Sequence, residues 1–275
     1  MTRVLLCTDL DRTLIPNGDH PESPQARSHF HGLVNQPAVT LAYVTGRDPQ
    51  LVKAAIAEYH LPRPDFVIGD VGSTLYVLTG ETWEAHPSWQ DQIAQGWGGK
   101  TAHHLEALLT GIDGITLQEQ GKQSRYKLSY YFSLQEDIGR LLTAVNQCLQ
   151  DHHIAANLIW SVDEVTAIGL LDILPPGADK RQAIEFLMAY YNYDHSNTLF
   201  AGDSRNDMSV LTSAIKSVLV ANAHPDVKSE ALAAAVQRGY ADRLYIAQGN
   251  FLGMNGNYSA GILEGVYNYY PHLCA

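Results

Sequence analysis

Near its start the chain carries Val4-Leu5-Leu6-Cys7-Thr8-Asp9-Leu10-Asp11-Arg12-Thr13. The mostly apolar residues predict a buried parallel strand, and the polar run after them a loop at its carboxyl end. This constrains the fold, because open α/β sheets place their reactive groups just beyond those strand tips. Two aspartates one residue apart at a strand end repel each other. A bound cation resolves the conflict, since hard divalent metals take oxygen ligands and Mg²⁺ typically uses one or two carboxylates with water and phosphate. Asp9 is therefore read as a nucleophile and metal ligand, and Asp11 as a general acid/base. The plainer alternative is a pair of turn-forming aspartates.

The next segments alternate strand and helix, the signature of a parallel sheet. Ser23 is expected to cap a helix running to Leu33. The strand Val39–Val44 ends in Thr45-Gly46-Arg47, after which Asp48 caps a helix with Pro49 at its first position. A strand at 65–68 leads into Gly69-Asp70-Val71-Gly72-Ser73, with a hairpin arm at 75–77. From Glu81 the pattern changes. Trp83, Trp89 and Trp97 fall among glycines and read as packing rather than a sugar platform. Helical spacing at 103–109, alternating runs at 115–118 and 126–132, an amphipathic helix at 134–149 and a strand pair at 158–162 and 165–170 follow. Strand pairs interleaved with helices predict an α+β module at 81–170. It interrupts a Rossmann-like, doubly wound α/β core of residues 1–80 and 171–275. There the alternation resumes: a strand at 171–174, a helix at 179–191, a strand at 198–201, then Gly202-Asp203-Ser204-Arg205-Asn206-Asp207. A strand at 217–220 and helices at 225–236 and 258–267 complete the core.

Four polar clusters follow a predicted strand or open a helix: Asp9 with Asp11, Thr45, Lys180, and Asp203 with Asn206 and Asp207. In a parallel sheet these tips share one edge, so the clusters can converge. Helix capping is the structural alternative for Asp203 and Asp207. A lysine at a helix start sits at the unfavourable end of the helix dipole, which favours a role for Lys180.

Composition limits the partners. The formal charge of −11 argues against a nucleic-acid partner, which needs a basic footprint. No apolar run reaches membrane-spanning length, and the start lacks the layout of a signal peptide. Cys7, Cys148 and Cys274 are odd in number and widely spaced, fitting neither a disulfide framework nor a zinc site. They are read as reduced thiols in a cytoplasmic protein. The pairs His103-His104 and His152-His153 lack the i, i+4 spacing of a helical metal site and are read as surface.

In order, Asp9-Leu10-Asp11-Arg12-Thr13, Thr45-Gly46-Arg47, Lys180 and Gly202-Asp203-Ser204-Arg205-Asn206-Asp207 resemble the four motifs of the haloacid dehalogenase-like (HAD) phosphatases. The insert between Thr45 and Lys180 resembles the cap placed after the second motif. More narrowly, the chain resembles the sucrose-6-phosphate phosphatases at Leu41-Ala42-Tyr43-Val44-Thr45-Gly46-Arg47, Val71-Gly72-Ser73, Tyr126-Lys127-Leu128-Ser129-Tyr130, Leu171-Asp172-Ile173-Leu174-Pro175 and Ser259-Ala260-Gly261-Ile262-Leu263-Glu264.

The resemblance implies Mg²⁺-dependent hydrolysis of sucrose 6-phosphate to sucrose and phosphate. Asp9 would attack phosphorus and form an aspartyl-phosphate. Asp11 would protonate the leaving oxygen, then deprotonate the incoming water. Asp9, the backbone carbonyl of Asp11 and Asp203 would hold Mg²⁺, with Asp207 in support, while Thr45 and Lys180 hold the phosphoryl oxygens. Arg47, Gly72, Ser73, Lys127, Tyr130 and Asp172 are the candidate sugar contacts, with Gly46 and Asn206 completing the substrate set. Cap movement over the site is expected. The alternatives are other sugar phosphates (mannosylfructose phosphate, glucosylglycerate phosphate or trehalose phosphate) or a non-catalytic partner subunit of a sugar-phosphate glycosyltransferase, and a sucrose-phosphate synthase-type enzyme is the partner the resemblance implies. Three residues depart from the pattern: Thr74 where an acidic residue is common, Arg181 where a glycine follows the motif lysine, and Arg205 where a small residue is common.

Overall fold

The computed structural model describes residues 3–163 and 166–273; Val165 and Cys274, both cited above, lie outside them. The strands are β1 (Val4–Thr8), β2 (Val39–Val44), β3 (Phe66–Gly69), β4 (Thr74–Thr79), β5 (Thr82–Ala85), β6 (Ile115–Leu117), β7 (Leu128–Phe132), β8 (Asn157–Asp163), β9 (Ile168–Leu174), β10 (Thr198–Gly202), β11 (Lys216–Leu219) and β12 (Leu244–Ile246). The helices are α1 (Ala26–Val34), α2 (Pro49–Glu58), α3 (Pro87–Gly96), α4 (Ala102–Leu109), α5 (Ile138–Asp151), α6 (Lys180–Tyr191), α7 (Met208–Leu211), α8 (Pro225–Arg238) and α9 (Ser259–Tyr269).

Eight strands form one sheet in the order β12-β11-β10-β1-β2-β3-β4-β5, and four form a second in the order β6-β7-β9-β8. The run from β12 to β3 is parallel, and β4 and β5 close the edge antiparallel. Successive residues of β1 go to opposite sides: Leu5 and Cys7 join one apolar cluster, Val4 and Leu6 the other. Both faces are thus covered, as a doubly wound sheet requires. The first cluster continues through Trp89 and Trp97 into Leu128, Leu171 and Ile173 of the smaller sheet and Leu141 and Val145 of α5. The tryptophans are accordingly packing residues between the two sheets.

Local chemistry sets most boundaries as expected. The Asp48 side chain accepts from Gln50 N and Leu51 N with Pro49 at the first helical position, and Asp179 caps α6 by accepting from Gln182 N. Ser23 is different. It is buried, and its hydroxyl accepts from the backbone N–H of Asn255 at 3.0 Å rather than capping α1, which begins at Ala26. Asp137 caps α5, so that helix starts at Ile138 and not at residue 134.

Two strands sit in the other sheet from the one expected. Residues 82–85 form β5, which pairs with β4 across Gly80, held at φ 54, and so extends the large sheet. Residues 171–174 are the end of β9, where Ile173 pairs with Leu158 and Leu128 inside the small sheet. A tight glycine turn explains the first. The second follows from alternation, since Gly169, Leu171 and Ile173 are all buried on one face. We propose that the insert begins after β5 and ends after β9, instead of at 81 and 170.

Helix α9 packs on β11 through two glycines one turn apart. A Cβ at Gly261 would lie 2.3 Å from the Gly256 carbonyl oxygen, and one at Gly265 would lie 2.5 Å from Val218 Cβ. Backbone cannot retreat there as a flexible side chain could. Gly265→Val is expected to cost about 1–3 kcal/mol, the usual range for overpacking a filled core. Chemical denaturation measures it, and an unchanged midpoint would contradict the packing described.

Candidate active site

Strands β1, β2 and β10 are adjacent and parallel, with Thr8 beside both Tyr43 and Ala201. Their tips therefore present Asp9, Thr45 and Asp203 side by side. The Asp9 backbone N–H donates to Ala201 O at 2.9 Å, so the first loop is tied to the β10 tip before any side chain is counted. Lys180 opens α6 and is fully buried among them.

The Lys180 ammonium donates to Asp207 Oδ1 at 2.7 Å and Asn206 Oδ1 at 2.8 Å, and lies 3.2 Å from Asp9 Oδ2. Asp207 spends its other oxygen on the backbone N–H groups of Asp203 and Ser204, at 3.0 and 3.1 Å. Asp207 thus locks the turn around the lysine. Gly202 makes room for it, since a Cβ there would stand 2.5 Å from Asp207 Oδ2. Asp203 accepts from Thr13 Oγ1 at 3.0 Å and has Arg12 Nε at 3.6 Å from its second oxygen. The left-handed backbone of Arg12 (φ 57) is fixed by Asn222, whose amide donates to Arg12 O at 2.6 Å.

Burial dominates the electrostatics. It pushes Asp9 up to about 7, with Lys180 pulling down and Asp207 and Asp11 pushing up. Burial also carries Asp203 well above the usual carboxylate range, reinforced by Asp9 and Asp207. For Lys180 burial alone would favour the neutral amine, but Asp207 and Asp9 outweigh it and the group is held charged. One carboxylate oxygen each from Asp9, Asp203 and Asp207 lie within 4.8 Å of one another. This buried, all-oxygen, anion-rich donor set suits a hard divalent cation.

Asp11 points elsewhere. Arg47 grips it in a two-pronged contact, Nη2 to Oδ1 at 2.6 Å and Nε to Oδ2 at 2.8 Å, and Asn17 donates at 2.7 Å. Burial raises this carboxyl, yet the Arg47 hydrogen bonds and charge, with Asn17 and Lys180, bring it below its ordinary value. Thr45 is fully buried, its hydroxyl accepting from Arg47 N at 3.2 Å.

These tips open on a cavity of about 500 Å³ between the two sheets. Asp9, Asp11, Thr45, Gly46, Arg47, Asp203 and Asn206 line its floor, and Lys127 and Asp172 line its small-sheet side. Lys180 and Asp207 stand directly behind the floor. Gly72 and Ser73, expected as sugar contacts, do not line the cavity. Gly72 (φ 106) lies against the backbone joining Asp179 to Lys180, where a Cβ would meet Asp179 C at 2.3 Å, and Ser73 Oγ donates to Asp70 O. Gly72 thus shapes the support beneath Lys180, and Ser73 ties the end of its loop to Asp70. Tyr130 is also buried away from the cavity.

Lys127 is neither a solvated edge residue nor free to reach a ligand with all its protons. Its ammonium donates to Lys122 O at 2.7 Å and Ser129 Oγ at 3.1 Å, and lies 3.8 Å from Asp70 and 3.9 Å from Asp172. It braces the small sheet against the loop after β3, where Asp70 and Val71 are both left-handed (φ 50 and 59), a strained conformation for residues with a Cβ. Burial raises Asp70 to about 6, with Lys127 opposing. Thr74 donates to Asp70 at 3.3 Å, which accounts for one of the three departures. His103, His104, His152 and His153 are exposed.

Sequence reasoning did not single out Thr13, Asn17, Asn222, Gln118, Lys122, Ser161 or Asp163. Thr13 stood inside a quoted motif, so its signal was present. Asn17 lies in the same first loop, six residues from the Asp11 it bonds, and the others face the site only through tertiary contacts of segments far apart in the chain.

Asp207→Ala would leave the Lys180 charge short of its nearest partner and two backbone donors without an acceptor. The expected loss is about 3–5 kcal/mol, typical of breaking a buried ion pair from one side. Asp11→Asn, at a partly exposed pair, is expected to change stability by about 1 kcal/mol or less. Denaturant midpoints of the two variants check this, and equal losses would contradict the assignment of Asp207 as the structural lock.

Comparison with known proteins places this geometry. The sucrose-6F-phosphate phosphohydrolase family matches residues 2–270. A HAD-like hydrolase of Nitrosococcus oceani, whose name states no substrate, is 48% identical over 99% of this chain and 73% of its own. The mannosylfructose-phosphate phosphatase of Agrobacterium fabrum is 30% identical over 82% of this chain and 86% of its own. Sucrose-phosphatase 1 of Nicotiana tabacum is 27% identical over 82% of this chain, which spans about half (52%) of the tobacco protein. Among solved structures, the sucrose-phosphatase of Synechocystis in complex with sucrose and phosphate shares the fold, with a TM-score of 0.77 at 24% identity over 98% of both chains. The convergence of Asp9, Thr45, Lys180 and Asp203 on one sheet edge and the match along nearly the whole chain agree: this chain belongs to the sucrose-6F-phosphate phosphohydrolase family of HAD-like sugar-phosphate phosphatases.

Proposed function

We propose that this chain is a Mg²⁺-dependent phosphatase that hydrolyses sucrose 6-phosphate to sucrose and phosphate through a phosphorylated Asp9. The observation that carries the reading is the buried meeting of Asp9, Lys180, Asp203 and Asp207 at the floor of a cavity large enough for more than a phosphate. No folding requirement explains three mutually close buried carboxylates, two of them also against one fully buried lysine, because burying charge is costly.

Asp9 has the geometry of a nucleophile. One oxygen is fixed by Leu10 N at 2.8 Å, and the other faces Lys180. In-line attack of that carboxylate on phosphorus expels the sugar alkoxide, which Asp11 protonates. Asp11 then takes a proton from the water that cleaves the aspartyl-phosphate. To serve as the acid it must leave the two-pronged grip of Arg47, which favours its ionised form. Thr45 would receive a negative oxygen of the transferred group, and the Lys180 ammonium, 3.2 Å from Asp9 Oδ2, would offset the charge that builds there. Mg²⁺, held by Asp9, the Asp11 carbonyl and Asp203, would supply further neutralisation of phosphoryl charge when bound. Asp207 supports from behind, both of its oxygens being occupied within the protein.

Sucrose 6-phosphate is supported by the family match and by the tobacco relative. A second reading, mannosylfructose phosphate, is supported by the somewhat higher identity to the Agrobacterium enzyme. The comparisons give no support to a synthase-type partner. No helix among the described residues is long and apolar enough to cross a membrane.

A phosphate-release panel of disaccharide phosphates separates the substrates. Sucrose 6-phosphate is expected to have the highest kcat/KM, and Asp9→Asn to abolish turnover of every member. Equal low rates across the panel, or full activity of Asp9→Asn, would contradict the reading.

Cation binding is also read from stability. Asp9 and Asp203 have folded-state values raised above their unfolded ones, so the folded form binds more protons. The metal-free protein therefore loses stability as pH rises from about 4 to about 7. Mg²⁺ should offset this repulsion, with a gain of about 2.7 kcal/mol at a concentration a hundred times its Kd. Thermal melts are expected to show a larger Mg²⁺ shift at pH 8 than at pH 5. Equal shifts would count against the site.

A further inference from the structure

Of the three departures from the family pattern, Arg205 stands closest to the chemistry, between Ser204 and Asn206 in the turn that holds Lys180. Its guanidinium carbon lies 5.1 Å from the ring centroid of Trp160, a residue of the opposite sheet, and its Nε donates to Glu230 of α8 at 3.1 Å. Trp160 is in turn fixed edge-on against Phe132 of β7, with centroids 6.5 Å apart. Arg205 forms a wall shared by two cavities, the substrate cavity and a cleft of about 470 Å³ behind it. Strand β8 crosses the same wall: Asn157 to Trp160 line the rear cleft, while Ser161, Val162 and Asp163 line the substrate cavity.

We propose that Arg205 is a positioning residue that pins β8 over the 203–207 turn through Trp160, and so sets where the sugar-facing wall stands relative to the phosphate-binding floor. The inference rests on the phosphatase reading above. An arginine suits this task better than a lysine, because its planar head can stack on the indole and donate to Glu230 together. The neighbours of each partner carry the consequence. One residue beyond Arg205 is Asn206, bonded to Lys180 at 2.8 Å, and one residue beyond Trp160 is Ser161, on the cavity wall. The stacked contact thus links the phosphate-binding floor to the sugar-facing wall. Arg181, the remaining departure, lines only the rear cleft and pairs with Glu185 at 3.8 Å. It takes no part in the contact.

The test compares a sugar phosphate with p-nitrophenyl phosphate, which has no sugar to meet the wall. Trp160→Ala is expected to lower kcat/KM for the sugar phosphate about five- to tenfold, mostly through KM, the size set by one partly desolvated cation–π contact. Hydrolysis of p-nitrophenyl phosphate should stay as in the wild type, and Trp160→Phe should restore most of the sugar-phosphate activity. Arg205→Ala should match Trp160→Ala on the sugar phosphate, and the double variant should fall no further, since two residues acting through one contact are not additive. An unchanged sugar-phosphate KM in Trp160→Ala, an equal loss on both substrates, or additive losses in the double variant would overturn the proposal. A readout without substrate separates this from failure of the phosphatase reading. Amide hydrogen exchange across β8 (Asn157–Asp163) should quicken in Arg205→Ala even if no sugar phosphate is turned over, and unaltered exchange there would overturn the proposal independently.

Discussion

A fully buried lysine holds the site together. Lys180 has no contact with solvent, and its charge persists only because Asp207, Asn206 and Asp9 surround it. Those partners come from two strand tips, Asp9 from that of β1 and Asn206 and Asp207 from the turn after β10. The parallel register of β1 and β10 is therefore a condition for the ion cluster, and the cluster in turn penalises any slip between those strands. One lysine does not balance the three carboxylates, and Asp9 and Asp203 are both pushed toward the neutral form by burial. That imbalance makes the floor of the cavity attractive to a cation and to a group that brings its own charge pattern.

The second sheet has a different physical task. It carries no member of the ion cluster, yet its apolar face is continuous with the core through Trp89, Trp97 and Leu128. Outside that buried face it meets the core through Lys127 against Asp70 and Trp160 against Arg205. The strained backbone at Asp70 and Val71 lies at the first of these, against the residues that begin α6.

Much of this was legible in the chain itself. The strand tips carrying Asp9, Thr45 and Asp203 were recognisable from continuous apolar runs followed by polar residues, and Lys180 from its position at the wrong end of a helix dipole. These signals are local, and they concern the most buried part of the molecule. What was not legible depends on pairing between distant segments. Residues 82–85 read as part of the insert because three tryptophans overshadowed a short glycine turn. Residues 171–174 read as a core strand because their apolar character fits either sheet. Gly72 sits in a motif but serves the backbone beneath Lys180, and no periodicity distinguishes support from contact. Lys127 illustrates the same limit: a lysine in a strand pattern does not disclose that two of its protons are already given to Lys122 and Ser129.

The central claim is that Asp9, poised against Lys180, becomes covalently phosphorylated. Mixing the protein with a sugar phosphate and Mg²⁺, quenching in acid within the first turnover and reducing with borohydride converts an aspartyl-phosphate to homoserine, which peptide mass spectrometry locates. The account predicts homoserine at position 9 and at no other aspartate. Homoserine elsewhere, or none at all while phosphate is being released, would contradict it.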